Sequence, residues 1–340
     1  MRYGRLATEP AHQLQMTADR SLVTALINTY NYGRYLPFAI NSILNQTYPN
    51  IEIVVVDDGS TDHTPEVLAQ YADKVRAIRT ENGGQGHAFN IGIPQARGEL
   101  VMLLDADDVW LPEKVERIVE LAANHPKAGM LYHRFQNIDS YGIKQDFVFP
   151  PSIVSGDYRA RYLRAGAHWW CPITSVLTFR TDHIRRALPI PTYAVREGAD
   201  TVITDFCAMT TEIASLPDVL ALRRLHGANH YATGREVWYR SKEIRESDVR
   251  RVEWRLFSIR QIMKRLGVEF EPNMDRNEWR TTNLFWLGRR SLWRVLWACA
   301  LNSEHTIKRR WQRLKWVLDC NRQYREERKR LAREPLRSVQ

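Results

Sequence analysis

The hydrophobic positions in the first hundred or so residues fall into two alternating patterns. Short aliphatic runs predict strands over 21–28, 51–56, 75–79 and 100–104. Helical spacing of apolar residues predicts helices over 35–46, from a turn at 57–62 to about residue 71, and over 87–96. The second and fourth strands are nearly continuous aliphatic runs, as in strands buried on both faces. Strands that alternate with helices across short loops predict an α/β fold with a parallel sheet.

The pattern changes beyond residue 121. Strands are predicted over 130–138, 173–179 and 219–225, and helices over 158–164 and 201–211. From residue 235 onward the spacing predicts long helices over about 237–266, 279–300 and 307–330. We therefore divide the chain into a polar N-terminal segment (1–20), an α/β domain (21–230) and a helical C-terminal region (231–340).

Two of the predicted strands end in groups of carboxylates. Asp57 and Asp58 follow the second strand, and Asp105, Asp107 and Asp108 follow the fourth. Oxygen ligands suit a hard cation such as Mg²⁺ or Mn²⁺, which proteins commonly hold together with substrate phosphates. Because ligands bind beyond the carboxyl ends of parallel strands, both groups should lie at one binding edge. The alternative for the second group is a solvated acidic turn at the start of the next helix.

Composition narrows the class of protein. The apolar content of 44% is ordinary for a globular chain, and no apolar stretch is long enough to predict a transmembrane helix. The first 20 residues lack the apolar centre of a secretory signal. The four cysteines are widely spaced without a C-x-x-C pair, which favours reduced thiols over disulfides or a zinc site. These features predict a cytoplasmic protein.

Several segments, in order, resemble the signatures of glycosyltransferase family 2. They are VTALINTYN at 23–31, VVDDGSTD at 55–62 and LDADD at 104–108, with NGGQG at 82–86, NIG at 90–92 and ARGE at 96–99 between them. The resemblance covers roughly residues 21–230. It implies a GT-A fold, which is a Rossmann-like and mostly parallel sheet that binds a nucleotide-diphosphate sugar. The helical C-terminal region would be an extension of that fold.

The resemblance also implies which residues bind the donor. In the family's first turn and second strand, Thr29, Tyr30, Asn31, Asp57 and Asp58 are the matching positions, with Thr29, Tyr30 and Asp58 on the nucleotide base and Asp57 in support. Asp105 and Asp107 match the family's Asp-x-Asp element, which binds the ribose and the divalent ion on the diphosphate. Asp108 is adjacent, and which of these carboxylates ligates the ion stays open. Asn28 stands where the family commonly has proline.

An inverting transfer needs a carboxylate that accepts the proton of the attacking hydroxyl. The family usually has a Glu-Asp pair near the start of the helix before the last strand. Counting back from the junction at 216–217 places Asp200 at the aspartate and Ala199 at the glutamate, so the glutamate is absent. Asp200 is the candidate base and Asp205 the second choice. The structural alternative for Asp200 is a helix N-cap, which is compatible with a role as base.

Three further side chains have candidate roles. His226, within RLHGANH at 224–230, matches the family's Arg-x-His-x-x-Asn segment and would reach the diphosphate or its metal. Trp169 and Trp170 lie where the family lines its acceptor pocket, and an indole face suits a sugar ring. The alternative for both tryptophans is core packing.

The C-terminal region differs from the rest in charge. From residue 231 onward it contains 27 basic and 14 acidic residues and eight of the eleven tryptophans. Trp279, Trp286, Trp293 and Trp297 fall on one helical face with arginines between them. This pattern fits helix packing, or an interfacial helix on an anionic membrane. Nucleic-acid binding is the weakest interpretation because no recognised motif accompanies the charge.

The sequence therefore predicts a cytoplasmic inverting glycosyltransferase that uses Mn²⁺ or Mg²⁺ and a UDP-, GDP- or dTDP-linked sugar. Its acceptor would be a polysaccharide, a lipid-linked glycan or another glycoconjugate, and its C-terminal helices could rest on the inner membrane face. The alternative from another class is a non-catalytic protein that keeps the nucleotide-sugar fold as a binding or scaffold module. A nucleotidyltransferase is weaker because no Gly-rich, Lys-containing phosphate loop follows the first strand.

Overall fold

The computed structural model describes residues 21–167, 169, 172–192, 196, 198–226, 242–274, 277, 280–281, 284, 292–301, 311, 314–315 and 318. The polar segment 1–20 lies outside these residues, as do Trp170, Glu197, Trp279, Trp286 and most of the predicted helix over 307–330.

Strands and helices alternate through most of the described α/β domain. The strands are β1 (Val23–Thr29), β2 (Ile51–Asp57), β3 (Arg76–Arg79), β4 (Leu100–Asp105), β5 (Val109–Trp110), β6 (Ala128–Ile138), β7 (Lys144–Phe149), β8 (Gly156–Asp157), β9 (Thr178–Arg180) and β10 (Glu212–Arg224). The helices are α1 (Leu36–Leu44), α2 (Thr64–Gln70), α3 (Gln85–Gln95), α4 (Lys114–Asn124), α5 (Arg159–Arg164), α6 (Thr181–Arg185), α7 (Ala199–Thr210), α8 (Lys242–Arg265) and α9 (Leu292–Leu301).

These ten strands belong to one sheet with the central order β3-β2-β1-β4-β9-β6-β10-β5. Strands β3, β2, β1 and β4 run parallel, and so do β6 and β10. Strand β9 joins these two blocks and runs antiparallel to both of its neighbours. The centre of β1, β2 and β4 is almost fully buried, as their aliphatic sequences predict.

The strand register brings the two acidic groups to one edge. Thr29 of β1 pairs with Asp57 of β2, and Asn28 pairs with Asp105 of β4. The prediction that both carboxylate groups lie at the carboxyl edge of a parallel sheet is therefore confirmed.

The predicted strand over 173–179 is interrupted in the structure. Residues Thr174–Val176 form a 3₁₀ turn, and β9 begins only at Thr178. The side chain of Ser175 explains the turn, because its hydroxyl accepts from the Asp105 N–H (3.0 Å) and donates to Asp108 Oδ2 (2.6 Å). These bonds draw the chain toward the acidic edge and away from strand pairing.

Helix α8 packs on the α/β core. Leu256, Ile259, Ile262 and Met263 are buried in the same hydrophobic cluster as the sheet. Helix α9 contributes Val295 and Cys299 to a separate small cluster. Within the described part of the chain, every helix is too short or too polar to span a lipid bilayer.

Candidate active site

A cleft of about 420 Å³ opens at the carboxyl edge of β1, β2 and β4. Six of the side chains predicted from sequence line it: Tyr30, Asp58, Asp105, Asp107, Asp108 and Asp200. They come from the ends of three strands, the turn after β4 and the first turn of α7. These six side chains are therefore up to 170 positions apart in sequence, between Tyr30 and Asp200.

Asp58 fixes the wall formed by the Gly-rich loop. Its Oδ1 accepts from the Gly83 N–H (2.9 Å) and its Oδ2 from the Gly84 N–H (2.7 Å). Gly84 has a φ of 85°, and a Cβ there would lie 2.4 Å from the carbonyl oxygen of Arg196. Only glycine fits at this close approach, so the loop follows the shape that the Asp58 carboxylate and the Arg196 backbone impose.

The other predicted donor-binding residues at the ends of β1 and β2 divide into two sets. Tyr30 lines the cleft with 43% of its surface exposed, whereas Thr29 is buried. Asn31 has a φ of 59° and its Oδ1 accepts from the Thr61 N–H (2.7 Å), which braces the neighbouring loop. Asp57 is buried and accepts from the Ser60 N–H (2.9 Å). Tyr30 is thus placed for stacking, and Asn31 and Asp57 support the turn.

The second acidic group has a different environment. Burial raises the pKa of Asp105 well above its usual range, and repulsion from Asp108, Asp107 and Asp200 adds to the rise. Burial, followed by repulsion from Asp107, also raises the pKa of Asp108 to about 8. A cation at this edge would relieve the repulsion, which is the electrostatic condition expected of a metal–diphosphate site.

Asp107 and His226 are the pair best placed to bind a cation. His226 Nε2 lies 3.0 Å from Asp107 Oδ2. The imidazole is held by stacking on Tyr35, with ring centroids 4.8 Å apart, and by an edge contact with Tyr32 at 5.6 Å. Among the described residues, no three His, Cys, Asp or Glu side chains are grouped closely enough to hold an ion by themselves. These residues fit an arrangement in which two protein ligands and the substrate phosphates together hold the ion.

Asp108, the other predicted metal ligand, braces the site. Its Oδ2 accepts from the Ser175 hydroxyl (2.6 Å) and its Oδ1 from the Arg224 N–H (2.8 Å). The Arg224 guanidinium in turn lies over the rings of Tyr35 and Phe38, and its Nε donates to the Asp107 carbonyl (3.1 Å). With both oxygens engaged, Asp108 is better placed to hold the turn after β4 to the end of β10 than to ligate an ion.

Asp200 lines the α7 side of the same cleft. It is in the first turn of α7, after Gly198, whose φ is 73°. Its Oδ2 accepts from the Thr174 hydroxyl (3.1 Å) and its Oδ1 from the Thr201 N–H (2.8 Å). Burial raises the pKa of Asp200, while the hydrogen bond from Thr174 opposes the rise. A raised pKa strengthens a carboxylate as a proton acceptor.

Gln85 links this side of the cleft to the Gly-rich loop. Its Oε1 accepts from the Ala199 N–H (2.8 Å) and its Nε2 donates to the Thr174 hydroxyl (3.3 Å). The start of α7 is therefore fixed by a side chain from α3, more than one hundred residues earlier in the chain.

Comparisons with known proteins agree with this geometry. The sequence profile described as "Glycosyl transferase family 2" matches residues 24–188. A protein of Nostoc sp. strain PCC 7120, named as an uncharacterized glycosyltransferase, is 36% identical over 284 residues, which are 81% of this chain and 86% of that protein. The chain belongs to glycosyltransferase family 2.

One further relative shows how much of the family 2 protein is shared in sequence, and one solved structure shows its fold. An uncharacterized glycosyltransferase of Rickettsia conorii is 40% identical over 137 residues, which are 39% of this chain and 23% of that protein. The crystal structure of S. aureus TarS 1–349 in complex with UDP-GlcNAc aligns with a TM-score of 0.52 and 19% identity, over 90% of this chain and 92% of that one. At that identity the similarity establishes the shared fold, which is the predicted GT-A type.

Of the two predicted acceptor residues of the family 2 protein, Trp169 is buried in the core and does not line the cleft. Trp169 is 4% exposed and packs on Tyr158 with ring centroids 5.2 Å apart, as the packing alternative has it. Trp170 lies outside the described residues. Asp205, the second choice for the base, is fully buried and paired with Arg255 on α8. Neither Trp169 nor Asp205 can contact a substrate in this conformation.

Sequence reasoning missed several side chains that line the cleft: Asn82, Gln85, Thr174, Arg196 and Arg223. Arg223 could have been identified from the sequence, because it is adjacent to Arg224, the first residue of the RLHGANH segment. Arg196, whose guanidinium donates to Asn82 Oδ1, and Thr174 have no local signal because their partners are distant in sequence.

Proposed function

We propose that this family 2 protein transfers a sugar, with inversion, from a nucleotide-diphosphate donor to a hydroxyl acceptor, with Asp200 as the general base. The single observation that carries the proposal is that Asp200 lines the same cleft as Asp105 and Asp107, with its Oδ2 accepting from the Thr174 hydroxyl (3.1 Å). A cleft that holds a proton-accepting carboxylate together with an acidic, cation-attracting group provides for both the attacking and the leaving group.

The donor would lie along the β1–β4 edge. Tyr30 offers a ring face to the nucleotide base, and Thr29 and Asp58 are the family's matching contacts. Asp58 already accepts two backbone N–H groups, so its contribution to the base would use its remaining lone pairs. Asp105 is the candidate for the ribose. Arg196 and Arg223 bring positive charge to the cleft, which favours a diphosphate.

The residues fit a divalent cation, either Mn²⁺ or Mg²⁺, on the diphosphate. Asp107 and His226 would hold it, and when bound it would neutralise the charge that develops on the departing nucleoside diphosphate. The aromatic contacts of His226 with Tyr35 and Tyr32 keep its Nε2 directed at Asp107. Asp108 holds the turn after β4 to Ser175 and to the end of β10 behind this pair.

The chemical step balances without a covalent intermediate. The acceptor hydroxyl gives its proton to the Asp200 carboxylate as its oxygen forms a bond to the anomeric carbon. The bond from that carbon to the diphosphate oxygen breaks, and its electron pair leaves with the nucleoside diphosphate. Thr174 and Gln85 orient Asp200, and the general base supplies on the order of 10²–10⁴-fold in rate.

The acceptor we propose is a hydroxyl of a polysaccharide, a lipid-linked glycan or another glycoconjugate, reached in the cytoplasm. The C-terminal helices supply an additional candidate partner, an anionic membrane surface. Trp293 and Trp297 on α9 are 80% and 64% exposed and lie one helical turn apart. Exposed indoles beside a basic sequence suit an interfacial position. Replacing both with serine should release the protein from anionic vesicles in a flotation assay, and unchanged flotation would remove the membrane from the proposal.

A donor screen tests the enzyme proposal. UDP-GlcNAc, which the TarS structure contains, is a first candidate alongside other UDP-, GDP- and dTDP-linked sugars. We expect one of them to raise the melting temperature in the presence of Mn²⁺ or Mg²⁺ and to be hydrolysed or transferred. Binding without any turnover, with a panel of hydroxyl acceptors present, would favour the alternative of a non-catalytic nucleotide-sugar-binding protein.

A further inference from the structure

Arg255 on α8 contacts two separate segments of the chain. Its Nε lies 3.2 Å from Oδ2 of Asp205 on α7, and its terminal nitrogen donates to the carbonyl of Ala167. The Arg255 side chain is largely buried and that of Asp205 is fully buried. One guanidinium therefore joins α7 to the loop that follows α5.

The contact with α7 leads to the proposed base. Asp205 lies five residues after Asp200 on the same helix. The contact of Arg255 with Ala167 fixes the guanidinium that meets Asp205. A rotation or shift of α7 would change the 3.1 Å contact between the Thr174 hydroxyl and Asp200 Oδ2, which is the contact that aims the carboxylate.

The loop at 166–167 is held tightly from the C-terminal side. Asn277 is fully buried, and its Nδ2 donates to the Gly166 carbonyl (2.9 Å). Ala167 has a φ of 55°, a left-handed conformation that a residue with a Cβ adopts only when its surroundings fix it. Arg255 and Asn277 both follow the segment that matches the family profile, residues 24–188.

Stability does not explain the ion pair between Arg255 and Asp205. Burial raises the pKa of Asp205 to about 6, even though Arg255, Tyr162 and Trp169 act in the opposite direction. The cost of burying this carboxylate thus exceeds the attraction of its partners. Buried pairs of this kind are often replaceable by apolar side chains without loss of stability, so the presence of the pair needs another reason.

We propose that Arg255 is a positioning residue for sugar transfer, which joins α7 to the loop at 166–167 and so holds α7 in the position that aims Asp200 at the acceptor hydroxyl. The inference rests on the proposed function of Asp200. It assigns to the C-terminal helix α8 a part in the rate of the chemical step, with no contact to either substrate.

The test uses the full chain with the double substitution Asp205→Asn and Arg255→Met, in which the amide oxygen remains as an acceptor for Tyr162 and Trp169. The double variant removes both charges together, because Arg255→Met alone would leave a buried unpaired carboxylate and could prevent folding. We expect the double variant to fold with a melting temperature close to that of the wild type. Its kcat for transfer should fall at least about tenfold, with the donor KM within about twofold, as expected when only the geometry of the reacting groups is lost.

Glu253→Gln is the matched control. Glu253 lies on the same helix, is half exposed and forms an ion pair with Arg280 (3.1 Å), away from the contact between Arg255 and α7. This control should leave kcat, the donor KM and the melting temperature unchanged. A double variant with wild-type kcat would overturn the inference, and so would losses of kcat and donor affinity that only follow a lowered melting temperature.

Amide hydrogen exchange separates this inference from the proposed function. The amides at 199–204 should exchange faster in the double variant than in the wild type and the control, because α7 loses its anchor. If the wild type transfers no sugar with any donor, the proposed function fails, and unchanged exchange at 199–204 would independently reject the anchoring role of Arg255.

Discussion

The two acidic groups at the sheet edge share a sequence pattern but differ in electrostatic state. Asp57 and Asp58 accept hydrogen bonds from the backbone, namely from the N–H groups of Ser60, Gly83 and Gly84. Asp105 and its neighbours crowd one another, and burial and mutual repulsion raise the pKa of Asp105 well above its usual range. A carboxylate at the end of a buried strand is therefore either part of the scaffold or part of a ligand site.

What distinguishes Asp58 from Asp107 is the supply of backbone N–H donors to the carboxylate. The Gly-rich loop delivers two N–H groups to Asp58, and this loop can do so because Gly84 adopts a positive φ. At Asp107 the carboxylate instead meets the side chain of His226. The first group consequently fixes shape, and the second keeps an affinity for cations.

The largest expected effect comes from removing a carboxylate of the second group. Asp107→Ala should abolish Mn²⁺-dependent donor binding in calorimetry, because His226 alone is a weak ligand set. The exposed Asp73, which is outside the cleft, offers a control in Asp73→Ala, and its donor binding should equal that of the wild type. Retained Mn²⁺-dependent binding in Asp107→Ala would contradict the contrast between the two acidic groups.

Asp200→Asn should separate binding from chemistry. Transfer should fall by at least about a hundredfold, the low end for a general base, while the donor affinity measured by calorimetry stays the same. Because burial raises the pKa of Asp200, wild-type activity should be lost on acidification at a pH above the usual carboxyl range. Full transfer activity in the variant would move the base to another residue.

The pH dependence of the free energy of unfolding tests the environment of Asp205, a buried carboxylate paired with the Arg255 side chain. Its pKa is raised to about 6 mainly by burial, with Arg255, Tyr162 and Trp169 opposing the rise and Asp200 adding to it. A raised pKa in the folded state stabilises the protein below the unfolded pKa of about 3.9, and this contribution is lost as the pH rises through 6. Relative to the wild type, Asp205→Asn should gain up to about 3 kcal/mol in free energy of unfolding between pH 4 and pH 7.

Urea unfolding at several pH values measures this difference. Each curve gives the free energy of unfolding of the variant and of the wild type under the same conditions, so groups common to both cancel. A difference that does not change with pH would show that Asp205 titrates in its ordinary range.

Asp58→Asn should have the smallest effect of the four. The amide keeps one acceptor but presents N–H groups toward a backbone donor, so one charged hydrogen bond is lost. We expect a loss of about 1.5–3 kcal/mol in the free energy of unfolding. The isosteric change Asp73→Asn at an exposed position is the control. A variant as stable as the wild type would mean that the Gly-rich loop does not depend on Asp58.

Much of the first half of the fold follows from local sequence. The aliphatic runs of β1, β2 and β4 are each long enough to identify a strand, and the carboxylates of β2 and β4 follow directly at the strand ends. The roles within each group do not follow in the same way. Asp58 binds N–H groups 25 and 26 residues later, and Asp108 binds Ser175, 67 residues later. A local pattern contains no information about such partners.

Trp169 illustrates the same limit for the predicted acceptor residues. The sequence around Trp169 allows its indole either to stack on a sugar or to pack in the core. Its ring contact with Tyr158 shows that the indole packs in the core. This contact depends on how α5 packs on α7. In the same way Arg196 reaches the cleft through the Gly84 and Gln85 backbone, which no spacing rule predicts.

The reversed direction of β9 has a consequence for how the cleft is assembled. A strand that runs against its neighbours starts where they finish, so the residues just before β9 arrive at the acidic edge without a long connection. Thr174 and Ser175 occupy that entrance, one hydroxyl for the base and the other for the acidic group. A single residue inserted between Val176 and Thr178 would shift Thr174 and Ser175 by one position relative to β9. Both hydroxyls would then lose their carboxylate partners, although the strand itself could still pair.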